Sequence, residues 1–137
     1  MKPASLVAVV AVAGLAGCGG PIRADELERG VESLGALAAE GEVLADGVAR
    51  ERTKTTFTRV QARTLAEQAD HEAEKLADAQ AGPALSASKA EAVALASKVS
   101  EALGRLRTRP DAVATGRAAK RELSGLSDDA DRLVRRL

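Results

Sequence analysis

The sequence predicts an all-α protein: an up-and-down antiparallel bundle of four helices behind a short apolar leader. Three helices, with the first two continuous, is the alternative topology. Three observations carry this. Alanine, leucine, glutamate, lysine and arginine dominate the 137 residues, while Phe57 is the sole aromatic; this is the composition of long helices. Apolar residues recur at alternating steps of three and four, which places them on one helix face. The breakers Gly82-Pro83 and Pro110 then divide the chain into stretches of helix length. A β-rich fold would need isoleucine, threonine and aromatics at alternating positions, and the sequence lacks them.

The first element is the leader, residues 1–17. Lys2 supplies a positive start, and Pro3 to Ala16 carry no charge, with Ser5 the only polar side chain. A charged-then-apolar beginning reads as a secretory signal. The run is too short to cross a bilayer, which takes about 20 apolar residues. Leu15-Ala16-Gly17-Cys18 closes the leader, with two narrow residues before the chain's only cysteine. These four residues resemble the bacterial lipobox, and the resemblance covers residues 1–18. It implies cleavage before Cys18, a diacylglyceryl group on the Cys18 sulfur, and commonly a further fatty acyl chain on the new amino terminus. The mature protein is then a lipoprotein held on the extracytoplasmic side of a cell membrane. Two other readings stand beside it. An ordinary signal peptidase would leave Cys18 as a free thiol, and an uncleaved hydrophobic helix would have to tolerate Gly14, Gly17, Gly19 and Gly20. A single cysteine makes no internal disulfide.

Residues 18–23 form a short tether, with Gly19, Gly20 and Pro21 opposing any regular element. The bundle follows, over residues 24–137. Its first helix carries Leu27, Val31, Leu34, Ala38, Gly41, Ala45 and Val48 as a heptad seam that Leu37 and Leu44 widen to bundle width. Asp25, Glu26 and Glu28 complement the positive end of its dipole. Gly30, Gly35, Gly41 and Gly47 each cost this helix about 1 kcal/mol against alanine; they mark either close helix approach or a kink. Thr53, Thr55 and Thr56 interrupt the pattern and make good caps, which predicts a turn there. The second helix runs from about Thr56 to Gln80, with Phe57, Val60, Thr64, Leu65, Ala69, Ala73 and Leu76 on its seam. The third, about Ala84 to Thr108, buries Leu85, Ala92, Leu95, Ala96, Val99, Leu103 and Leu106. Pro110 ends it and starts the fourth. That helix carries Val113, Leu123, Leu126, Ala130, Leu133, Val134 and Leu137, with a split at Ser124-Gly125.

Charge narrows the functional classes. Twenty basic and twenty acidic residues balance overall, whereas nucleic-acid binding calls for a basic excess. The absence of Trp and Tyr removes stacking platforms for bases. The balance is uneven along the chain: residues 22–48 hold seven acids against two arginines, and residues 105–137 hold nine bases against five acids. Either the first and last helices are neighbours that complement one another, or the basic face around Arg105, Arg107, Arg109, Arg117, Lys120 and Arg121 meets anionic lipid or a polyanionic wall polymer.

One cluster has the residue types for metal or acid–base chemistry. Glu67, His71, Glu74 and Asp78 recur at steps of four, three and four, and so share a face of the second helix, with Asp70 and Glu72 beside them. Carboxylates with one imidazole suit a divalent cation. However, the Glu-x-x-His repeat of di-iron bundles is missing: Gln68 stands three before His71, and no second histidine exists. A solvated face with Lys75 pairing to acidic neighbours accounts for the pattern equally. No glycine-framed serine elbow, phosphate loop, dinucleotide fingerprint or C-x-x-C pair occurs. The expectation is therefore a non-enzymatic interaction module with no cofactor. Its partners would be membrane lipid, reached through acylated Cys18, and an envelope protein or a second copy of the chain. Cation binding through the acidic face, or helices lying on a membrane surface, are the alternatives.

Overall fold

The computed structural model describes residues 20–137. It contains α1 (Ala24–Ala49), α2 (Thr55–Asp78), α3 (Ser86–Thr108) and α4 (Val113–Val134), and no strand among the described residues. Short turns make successive helices antiparallel. α1 packs closely on α4 and α2 closely on α3, and the two pairs meet along the α1–α2 and α3–α4 seams. The first two helices are separate, so the four-helix topology holds.

Small residues explain the two close pairs. α2 and α3 bury Ala62, Ala66 and Ala69, and Ala92, Ala96 and Ala102, and short side chains draw helix axes toward the near end of the usual 8–10 Å range. Between α1 and α4 the approach is closer still. A Cβ built on Gly116 would stand 2.6 Å from the Ala49 backbone nitrogen and 2.9 Å from the Ala45 carbonyl oxygen. Across the core, one on Gly41 would stand 2.8 Å from a Leu103 methyl. Gly41 thus serves close approach, and α1 runs through its glycines as one unbroken helix. Leu27, Leu34, Leu76, Leu103, Leu106 and Leu123 are the large side chains that fill the middle, each stabilising the fold by about 1.5–3 kcal/mol.

All nine apolar positions expected on α1 are buried. α2 departs from expectation. Phe57 and Val60 are 52% and 54% exposed, and Thr64 is exposed as well. The buried face runs instead through Thr58, Ala62, Leu65, Ala66, Ala69 and Leu76. Leu65 and Leu76 fix that face; Thr58 lies seven and eighteen residues before them, close to whole numbers of turns, whereas Phe57 is turned about 100° away. In α4, Ser124 and Gly125 lie inside an unbroken helix. Pro110 does not start this helix: it is buried in the turn, and α4 begins at Val113.

The α1–α2 turn is built without glycine or proline. The Glu51 N–H donates to the Val48 carbonyl at 3.1 Å and the Arg52 N–H to the Gly47 carbonyl at 2.9 Å. This is the Schellman closure of a helix, which needs a left-handed residue where glycine usually sits. Glu51 takes that role with φ 56°.

Candidate functional site

The features singled out in the sequence fall at opposite ends of the bundle. One end gathers the start of α1, the α2–α3 turn and the end of α4. There the Ile22 N–H donates to the Gln80 carbonyl at 2.7 Å, which fastens the entering chain to the α2–α3 turn. The Arg23 N–H donates to the Glu26 carboxylate at 3.1 Å. The Arg23 guanidinium donates to Asp25, a bond that holds the Asp25 carboxyl below its usual range. From α3, the Lys89 ammonium donates to the carbonyls of Ala77 and Ala79, meeting the negative end of the α2 dipole. A concavity of about 710 Å³ opens here over Ile22, Gly30 and Leu76, rimmed by Glu26, Arg29 and Lys75. The described chain enters this end at Gly20; Cys18, together with Leu15, Ala16 and Gly17, lies outside the described residues.

The acidic face of α2 does not converge into a site. Glu67 and His71 border a shallow groove between α1 and α2 with Ser33, Leu37 and Glu72. Glu74 and Asp78 are exposed, and Asp78 belongs to the concavity at the end of the helix instead. Lys75, exposed, stands 3.7 Å from Glu72 at the expected helical spacing, although the Glu72 side chain is mostly buried. Among the described residues no three His, Cys, Asp or Glu side chains come together to hold a metal ion. Ser33 and His71 share the groove without a hydrogen bond between them.

The basic residues from Arg105 to Arg121 lie at the other end, and the structure divides them. Lys120 reaches across to Asp46 of α1 at 2.7 Å, and Arg105 pairs with Glu122 of α4. Arg107, Arg109, Arg117 and Arg121 are exposed and make no ion pair among the described residues. α1 and α4 are thus close neighbours, but a single ion pair, Asp46–Lys120, joins them. Asp46 and the closing role of Glu51 are the residues that sequence reasoning passed over. A tally of charge by helix end, rather than by segment, would have drawn attention to this region. No helix among the described residues is long and apolar enough to cross a membrane. Comparison with protein-family models, curated proteins and solved structures returned no match to the chain.

Proposed function

We propose that this chain is a bacterial envelope lipoprotein, anchored by acylated Cys18 on the extracytoplasmic side of a cell membrane, whose bundle acts as a non-enzymatic interaction module. The observation that carries the reading is Leu15-Ala16-Gly17-Cys18 directly behind an uncharged run, with the only cysteine at the acylated position. Two or more acyl chains, at about 0.8 kcal/mol per buried methylene, hold a protein stably in a bilayer. Helix α1 starts at Ala24, so five residues separate it from Cys18 and the bundle stays near the headgroups. Confinement of this kind raises the effective concentration of the bundle for a neighbouring envelope protein or a second copy of itself.

The test is the intact mass of protein extracted from membranes, beside a Cys18→Ala variant. The expected result is a species beginning at Cys18 with added acyl mass, absent from the variant. An unmodified mass in the unaltered protein would overturn the reading.

A further inference from the structure

The overall charge balance conceals a strongly polar bundle. The α1–α2 turn and the start of α2 carry Arg50, Arg52, Lys54, Arg59 and Arg63. The end of α3 and the start of α4, which the topology brings to the same end, carry Arg105, Arg107, Arg109, Arg117, Lys120 and Arg121. Residues 48–64 and 104–121 together hold eleven basic side chains against two acidic ones, Glu51 and Asp111. Three of the eleven are engaged: Arg50 and Lys120 with Asp46, and Arg105 with Glu122. The other eight are exposed and form no ion pair among the described residues. Neither α2 nor α4, whose amino termini lie at this end, has an acid in its first turn, although acids there would stabilise both helices. Such a concentration of like charge works against compactness through self-repulsion.

We infer that this end of the bundle binds a flexible polyanion bearing repeated phosphate groups. Nine of the eleven bases are arginine, whose planar fork matches phosphate oxygens two at a time. A shallow concavity of about 570 Å³, bordered by Arg105, Arg107, Arg109, Thr108 and Thr115, with Glu101 the one carboxylate on its rim, offers one seat for such a group. The distribution favours a polymer over a flat bilayer. Arg63 lies eight residues into α2 and Arg121 eight into α4, so the charge runs about 12 Å down the sides of the bundle. A plane docked against the tip leaves those residues beyond the screening length of about 8–10 Å, whereas a flexible chain wraps to reach them. With Phe57 the sole Phe, Tyr or Trp of the chain, base stacking adds little, so backbone charge is the recognised feature. The inference stands apart from the anchor, since the basic end is the one opposite Gly20 and is the same whether or not Cys18 is acylated.

The experiment titrates full-length protein in neutral detergent with fluorescently labelled inorganic polyphosphate and reads anisotropy across a range of salt. It includes Arg59→Gln/Arg63→Gln, Arg117→Gln/Arg121→Gln and, at the opposite end of α4, Arg132→Gln/Arg135→Gln. The expected result is binding that weakens with salt. Each of the first two variants should lose affinity by tenfold or more at low salt, with the salt slope falling by about 0.7 for each contact removed; the third should bind as the unaltered chain does. A Cys18→Ala chain should also bind as the unaltered chain does, which separates this inference from the lipoprotein reading. Absence of binding at low salt, or equal loss in all three variants, would overturn the inference. So would tighter binding to phosphatidylglycerol vesicles or to an oligonucleotide of matched charge, which would move the surface to lipid or to nucleic acid.

Discussion

Asp46 on α1 and Lys120 on α4 meet at 2.7 Å, the one ion pair that crosses the most closely packed helix pair. The same carboxylate accepts from the Arg50 guanidinium at 3.0 Å. The hydrogen bond from Lys120, with that from Arg50, outweighs partial desolvation and holds the Asp46 carboxyl below its usual range.

A depressed carboxyl pKa stabilises the fold above the unfolded-state value, about 4, and that contribution fades as pH falls through the lower folded-state value. At pH 7 the Asp46→Asn variant should therefore melt below the unaltered protein. The two melting temperatures should converge below pH 4, as the native carboxylate takes up its proton. A gap that persists unchanged into strong acid would mean that Asp46 matters for packing rather than charge. Melting curves between pH 2 and pH 7 decide this.

Gly116 is the tightest point of the fold. The atoms its missing Cβ would strike are the backbone of Ala49 and Ala45, which have no rotamer to move into. Gly116→Ala should gain some helix propensity but lose more through overpacking, with a net loss of about 1–3 kcal/mol. Gly125, whose added Cβ meets nothing within 4 Å, is the control: Gly125→Ala should stabilise α4 by about 1 kcal/mol. Urea unfolding of the two variants gives opposite signs if the close approach is real.

Thr58 is fully buried, and its hydroxyl has no hydrogen-bond partner among the described residues. An unsatisfied buried polar group costs about 1–3 kcal/mol. Thr58→Val keeps the shape and removes the hydroxyl, so it should raise stability by about 1 kcal/mol. Thr58→Ala removes a methyl as well and should fall below Thr58→Val. If the valine variant is the weaker one, the hydroxyl has a partner in solution.

Thr58 also shows where the sequence was legible and where it was not. The α1 seam could be read because its seven positions keep the three–four spacing without a break, with leucine or valine at Leu27, Val31, Leu34 and Val48, and every one of them is buried. On α2 the two bulkiest apolar residues near its start, Phe57 and Val60, drew the seam toward themselves, while the buried face there is made of Thr58 and Ala62. When small residues line a close helix contact, hydropathy carries little phase information. The lower end of α2 was placed correctly because Leu65, Ala69 and Leu76 agree on one phase. For the candidate sites, spacing put Glu67, His71, Glu74 and Asp78 on one face, but it could not show that among the described residues no three such side chains come together to hold a metal ion. The basic end was half visible: Arg105 to Arg121 stood out as a run, but their conjunction with Arg52 to Arg63 follows only from the antiparallel topology.

Phe57 sharpens this into a measurement. Half its surface faces solvent, so Phe57→Ala should cost less than about 1 kcal/mol. Leu76→Ala, at a fully buried position on the same helix, should cost about 2–5 kcal/mol. Equal losses would place Phe57 back on the seam and rotate α2 by about 100° from the orientation described above.

Glu51 carries the last prediction. It is the only non-glycine residue with positive φ among the described residues, and it closes α1 through the Schellman bonds from Glu51 and Arg52 to the carbonyls of Val48 and Gly47. A side chain in the left-handed region costs about 1–2 kcal/mol through the clash of Cβ with the following carbonyl oxygen. Glycine removes that clash but widens the unfolded ensemble, which returns part of the gain. Glu51→Gly should therefore stabilise the protein by about 0.5–1 kcal/mol, and Glu51→Val should destabilise it, because a β-branched residue is least tolerant of this conformation. The same glycine variant removes an acid from the basic end, so it should also tighten polyphosphate binding at low salt. Higher stability together with tighter binding would show that Glu51 tempers the charge of this end while occupying a position that suits glycine better. Higher stability with unchanged binding would confine Glu51 to the turn.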